Sequence, residues 1–189
     1  ESQQIFITNE FAYLAAGEAG LYIFDVSNPE SLKEKARYEL DSPVKHVFIQ
    51  KDYAFLACEE GGLYVLDVSK PTMPQEIAHF ETGNEVEHVL IHENYAYLAC
   101  DEAGFYVLDI SDPFKPKTLS HYQVGDVQDI YIHNRYAFLA CDKAGLYVYD
   151  LFEPTLPEQI CHFNAGGEAE IVFVKDHYAY LGSEAAGMY

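Results

Sequence analysis

A segment of about 42 residues recurs four and a half times along this chain, and that period constrains the fold more than any single residue does. The runs FAYLAAGEAGLYIFDVSNP from Phe11, YAFLACEEGGLYVLDVSKP from Tyr53, YAYLACDEAGFYVLDISDP from Tyr95, YAFLACDKAGLYVYDLFEP from Tyr136 and YAYLGSEAAGMY from Tyr178 align without gaps. Their glycines fall at Gly20, Gly62, Gly104, Gly145 and Gly187, so the steps are 42, 42, 41 and 42 residues. Self-similarity at 40 to 50 residues belongs to propellers and solenoids, in which one supersecondary unit is stacked on copies of itself.

Each repeat divides into four short apolar or alternating runs, separated by turn residues at all-β spacing. In the second repeat these are HVFIQ (46–50), YAFLAC (53–58), LYVLDV (63–68) and EIAHFE (76–81). No run has helical length or a 3.6-residue period. The first three, here strands a, b and c, are apolar on both faces, as in a sheet packed between two others; the fourth, strand d, alternates and suits an outer rim. The expectation is an all-β β-propeller of four-stranded antiparallel blades: residues 1–42, 43–84, 85–125 and 126–167, with an incomplete fifth at 168–189. A ring closes by completing one blade from both termini, which leaves no open edge. This register does not allow that closure, so the reading is either a partial sequence of a propeller of about six to eight blades, an internal fragment, or copies that associate to close a ring.

Two recurrent residues read as punctuation. Asp25, Asp67, Asp109 and Asp150 end strand c before a Pro-containing turn, where a carboxylate accepts main-chain N–H bonds. The glycine of each repeat reads as a positive-φ residue in the b-to-c turn.

The pattern YAYLA-x4-GLYVLDVS-x-P resembles the LVIVD-repeat family of β-propellers, with LYIFD, LYVLD, FYVLD and LYVYD in place of the name-giving pentapeptide. The resemblance covers the whole chain. It implies a propeller, commonly in secreted or surface-attached prokaryotic proteins, with no assigned catalytic residues. One departure is the cysteine at Cys58, Cys100 and Cys141, where that family often carries aspartate.

The chain is 49% hydrophobic and 15% aromatic, too apolar for disorder. Its net charge of −20, from 11 basic and 31 acidic residues, argues against nucleic acid, whose phosphates need Lys and Arg. It favours cationic partners or metal ions. No apolar stretch is long enough for a transmembrane helix. Cys58, Cys100 and Cys141 occupy one column of successive repeats, too far apart for disulfides, and read as small packing residues beside Ala16 and Ser183. Free thiols suit the cytoplasm; the resemblance implies the cell surface or exterior.

In a propeller the d-to-a and b-to-c connections share one face. There the sequence places Glu18, Glu59, Glu60, Glu85, Glu87, Asp101, Glu102, Asp126, Asp142 and Glu170, with Asp41, Glu81, Glu168 and Glu184, against Lys45 and Lys143 alone. The opposite face carries Lys33, Lys51, Lys70, Lys115, Lys117, Arg135 and Lys175 among its acids. A rim of one sign steers oppositely charged partners; it also keeps a β-protein soluble. The first inward column of strand a reads Gln4, His46, His88, Asp129 and Ile171. His46, His88 and Asp129 are the candidate ligands of a divalent cation, against a reading as water-bonded channel lining. The strand-d column Arg37, His79, His121, His162 suggests either a pH-dependent belt or edge protection. No nucleophile and base stand apart from the repeat. The expected function is a non-catalytic module for protein binding or self-assembly, without cofactor, through the acidic face or blade edges; the alternative is a metal-binding scaffold or a metal-dependent hydrolase of the lactonase kind.

Overall fold

The computed structural model describes residues 3–8, 10–164, 166–183 and 187–188. The first blade consists of β1 (Gln4–Ile7), β2 (Phe11–Ala15), β3 (Leu21–Asp25) and β4 (Lys33–Tyr38). The second has β5 (His46–Gln50), β6 (Tyr53–Cys58), β7 (Gly62–Asp67) and β8 (Gln75–Phe80); the third β9 (His88–His92), β10 (Tyr95–Ala99), β11 (Phe105–Asp109) and β12 (Lys117–Tyr122). The fourth has β13 (Asp129–His133), β14 (Tyr136–Cys141), β15 (Gly145–Asp150) and β16 (Glu158–Phe163), followed by β17 (Ile171–Lys175), β18 (Tyr178–Ser183) and β19 (Gly187–Met188). Each set pairs in chain order as one antiparallel sheet, four of four strands and a last one of three. This is the β-propeller blade, in four complete copies and a partial fifth. No helix of the described residues is long and apolar enough to cross a membrane.

Contacts divide the chain into two compact units, Glu1–Val89 with Asp112–Pro116, and Leu90–Ser111 with Lys117–Tyr189. In the first unit, Tyr13, Ala15, Leu21 and Ile23 of one blade pack on Val47, Ile49, Leu56, Cys58 and Leu66 of the next. In the second, Tyr97, Ala99, Phe105 and Val107 pack on Ile130, Ala137, Leu139 and Cys141. Tyr131, Phe138 and Leu146 then meet Ala169, Val172 and Leu181. In the second blade strand b is buried almost throughout, while no residue of strand d is fully buried, which is the predicted inside-to-outside gradient.

The turns explain why the glycine recurs. Gly20, Gly62, Gly104 and Gly145 have φ of 82°, 77°, 83° and 85°, a region where a side chain meets its own backbone. Strand d closes over the same spot: a Cβ on Gly62 would lie 2.4 Å from the Phe80 carbonyl oxygen. The c–d pairing also shifts register at one place in every complete blade, between Ile23 and Phe24, Val65 and Leu66, Val107 and Leu108, and Val148 and Tyr149. Such a bulge adds twist and re-aims the outer strand; nothing in the apolar pattern announces it.

Within each unit, two seams of main-chain hydrogen bonds tie the loops at both ends of the sheets. At one end, the b-to-c loop of a blade pairs with the segment entering the next: Gly17 with Val44 and Glu59 with Val86 in the first unit, Asp101 with Val127 and Asp142 with Ala169 in the second. At the other, the N–H groups of Val26, Val68, Ile110 and Leu151 donate to the carbonyls of Glu10, Asp52, Asn94 and Arg135 at 2.7–2.9 Å, tying each c-to-d turn to its own a-to-b turn.

Gly62→Ala is expected to lower unfolding free energy by more than about 2 kcal/mol, since left-handed strain adds to a main-chain clash. Gly83, with φ of 77° but no atom within 4 Å of its would-be Cβ, should lose only the strain. Urea denaturation of Gly62→Ala and Gly83→Ala compares them; equal losses would remove the role of the strand-d contact.

Candidate functional site

In each unit the carboxylates predicted for the loop face lie at or beside the first seam, and they fall into an inner and an outer set. The inner ones hold the loops. In the first unit Lys45 Nζ lies 3.0 Å from Glu59 and 3.5 Å from Glu87. Partial burial works against the ammonium, but those two bonds hold Lys45 above its ordinary pKa; desolvation pushes Glu87 upward. In the second unit Gln128 Nε2 donates to Asp101 Oδ1 at 2.8 Å, and exposed Lys143 lies 3.7 Å from Asp142 and 3.5 Å from Glu168. Asp126 is pushed up by desolvation and then by the charges of Asp101 and Asp142. The outer set is exposed: Glu18, Asp41, Glu60, Glu81 and Glu85 in the first unit, Glu102 and Glu170 in the second. Glu184 lies outside the described residues.

Three members of the strand-a column fasten one blade to the next. Gln4 Oε1 accepts the Val47 N–H at 3.1 Å, and Asp129 Oδ2 accepts the Val172 N–H at 2.8 Å, each from the following blade. The His46 ring bonds the Val89 main chain. Asp129 Oδ1 also accepts the Ile130 N–H at 2.8 Å. The rings of His46 and His88 touch, with centroids 3.8 Å apart. Among the described residues no group of three or more His, Cys, Asp or Glu side chains is placed to hold a metal ion. Ile171 replaces the polar residue in the fifth blade, and its partner across the pair is Gly182 where the other blades have Ala15, Ala57 and Ala140. A Cβ at Gly182 would lie 2.4 Å from Ile171 Cγ2, so the two substitutions compensate.

The remaining recurrent polar groups are engaged within their own blades. Asp67, Asp109 and Asp150 each accept, at 2.8 Å, the N–H of the residue two positions on, and Asp25 accepts both the N–H and the hydroxyl of Ser27. His79, His121 and His162 bond through Nε2 to the carbonyls of Gly61, Ala103 and Ala144 at 2.5–2.7 Å. Each ring stacks on a strand-c tyrosine, Tyr64, Tyr106 or Tyr147. Arg37 does the same in the first blade, bonding the Ala19 carbonyl and lying 5.1 Å over Tyr22. The belt therefore ties strand d to the b-to-c loop. Cys58, Cys100 and Cys141 are buried and free, and Cys161 is exposed; desolvation raises all three buried thiols, Cys141 to about 12.

One break in the symmetry lies at the strand-c turn of the fourth blade. Where the other complete repeats read D-V/I-S-x-P, the fourth reads D-L-F-E-P, and Phe152 is 81% exposed. Arg135, on the neighbouring turn, lies 5.6 Å from that ring and 2.7 Å from Asp150 Oδ2.

The model of the LVIVD repeat matches four times, at residues 1–39, 43–82, 83–124 and 124–164. None of the curated proteins matches. Among solved structures the chain is similar to the computationally designed Ika8 protein, with TM-score 0.80 and 11% identity over 100% of this chain and 57% of that one. It is also similar to the computationally designed Ika4 protein, with TM-score 0.66 and 13% identity over 82% of this chain and 93% of that one. The chain thus spans little more than half the length of the first; at such identities the likeness is one of fold.

Burial pushes His46 well below its ordinary value and His88 down to about 4, and pushes Asp129 up to about 6. Between pH 6.5 and 4 the unfolded chain binds imidazole protons that the folded one refuses, so both histidines withdraw stability as pH falls, by up to roughly 3 kcal/mol for a shift of this size. Asp129 acts oppositely: its stabilisation is complete below about pH 4 and is lost as pH rises through 6. Urea midpoints should fall from pH 7 to 4.5, less so in His46→Gln/His88→Gln, which copies Gln4, and more so in Asp129→Asn. Unchanged slopes would refute the assignment. Alkylation of the native protein should label Cys161 and spare the other three thiols until unfolding; early labelling of Cys100 would contradict its burial.

Proposed function

The chain belongs to the LVIVD-repeat family, and from that premise we propose that it is a non-catalytic binding or assembly module at the cell surface, engaging a cationic protein through the outer carboxylates of its acidic face. The observation that carries this reading is the division of labour among polar residues. The strand-c aspartates and strand-d histidines that the repeat preserves, and Gln4 and Asp129 of the variable strand-a column, bond the blades themselves. The outer carboxylates Glu18, Glu60, Glu85 and Glu102 sit on loops already fastened by their main chain, so their charge is available to a partner at little ordering cost. Charge of one sign over a loop face raises the encounter rate with an opposite partner and makes it salt-dependent.

A second reading, a metal-dependent propeller, draws support from the contact of His46 with His88. Zinc titration separates the two: binding heat abolished by His46→Gln favours the metal, a flat trace the first reading.

Affinity capture from the source cells tests the proposal, with the wild-type chain and a Glu60→Lys/Glu85→Lys/Glu102→Lys variant as baits. The expected partner is cationic, is released at about 0.5 M salt where charges are screened beyond a few ångströms, and is lost from the variant. Equal recovery by both baits would exclude the acidic face.

A further inference from the structure

We propose that the turn end of the fourth blade is a docking site for a basic polypeptide segment that carries an apolar anchor, held by Phe152, Arg135 and Leu156. The site lies on the face opposite the acidic loops and does not depend on the role given to them.

A paired departure from the repeat motivates it. The main-chain bond from the residue after the strand-c aspartate to the a-to-b turn brings two positions together in every complete blade. They hold Glu10 and Ser27 in the first blade, Asp52 and Ser69 in the second, Asn94 and Ser111 in the third. In the fourth, Phe152 replaces the serine common to the other three, and Arg135 places a cation where they have an acid or an amide.

The fold does not require the aromatic ring. The Phe152 N–H reaches Asp150 Oδ1 at 2.8 Å, as the N–H groups of Ser69 and Ser111 reach their own aspartates. Its side chain is left 81% exposed, with Leu156 70% exposed in the same turn. Arg135 props the ring from one side, its guanidinium carbon 5.6 Å from the ring centre while Nη2 is anchored on Asp150. An aromatic ring held in one place loses little freedom on binding, and aromatic and arginine anchors dominate interface energetics.

Two hollows flank the Phe152–Arg135 ridge. One, of about 460 Å³, has Tyr95, Tyr97, Leu151 and Pro154 among its walls; the other, of about 450 Å³, lies between Arg135 and Leu156. Each has room for an apolar side chain. The carboxylates lining the pair are Glu93, Asp150, Glu153 and Glu158, against the single guanidinium of Arg135. An apolar centre inside an acidic margin fits a segment whose Leu or Phe is flanked by Lys or Arg. A second copy fits poorly, because the chain itself has only 11 basic residues to 31 acidic ones.

The probe is a short fluorescent peptide of alternating Lys with Leu and Phe, titrated against the full chain by anisotropy, with Glu-for-Lys and Ser-for-apolar versions alongside. The Lys/Leu/Phe peptide should bind best. Phe152→Ser/Arg135→Asn, which rebuilds the pair of the third blade, should weaken it about thirtyfold, near 2 kcal/mol at 1.4 kcal/mol per tenfold, with an unchanged thermal midpoint. The Glu60→Lys/Glu85→Lys/Glu102→Lys variant should keep this binding, so failure of the acidic-face reading leaves the result intact. Binding unaffected by Phe152→Ser/Arg135→Asn, or equal binding of the Ser-for-apolar peptide, would overturn the proposal. So would self-association of the wild type in sedimentation velocity that the double variant abolishes.

Discussion

Each sheet in this protein is apolar on both sides, and a sheet of that kind is stable only between neighbours. In the second blade Phe55, Leu56, Leu63, Val65 and Leu66 are at most 1% exposed although they point alternately to opposite faces. No 42-residue sheet buries both faces alone, so the repeat and the stacking are one constraint. The apolar contact is non-directional, however, and would let blades slide. Register is set by polar groups: the main-chain seam at one end, and at the centre the carbonyl, imidazole or carboxylate of strand a reaching the next blade's main chain.

This assignment inverts the usual reading of recurrent polar residues. A carboxylate or imidazole that returns in every repeat invites a catalytic or ligating role, yet here recurrence tracks a main-chain atom that recurs with it. The strand-d histidine follows the b-to-c carbonyl, and the strand-c aspartate follows the turn N–H. Blades whose main chains are equivalent present equivalent unsatisfied groups, and buried main-chain groups must find partners. Chemistry directed outward is then sought where blades differ, as at Arg135 and Phe152.

The period, the strands, the turn aspartates and the positive-φ glycines were legible in the sequence because each is a local, repeated cost: a missing Cβ, a turn N–H, an apolar alternation. The partners of Gln4, His46 and Asp129 were not, since they lie about 43 residues away along the chain and only three-dimensional stacking brings them close. The strand-d bulge was equally hidden, because an extra residue on an exposed strand leaves its hydropathy unchanged. Phe152 stands in the alignment where the other complete repeats have serine, but its exposure is a property of the folded turn alone.

The acidic loops also differ from blade to blade. The residue at the seam is Gly17 in the first blade and Glu59, Asp101 and Asp142 in the next three, with φ of 57°, 24°, 41° and 39°. Glycine occupies such angles without strain, whereas a side chain there costs of order 1 kcal/mol, least for aspartate. Main-chain pairing at the seam is the same with either residue. The carboxylates of the second to fourth blades are thus held against a backbone preference that glycine would satisfy. Part of the return is internal, in the bonds of Glu59 to Lys45 and of Asp101 to Gln128. Among the described residues the Asp142 side chain has only exposed Lys143 at 3.7 Å, a pairing worth little in water, so at that loop the described contacts do not account for the choice of charge.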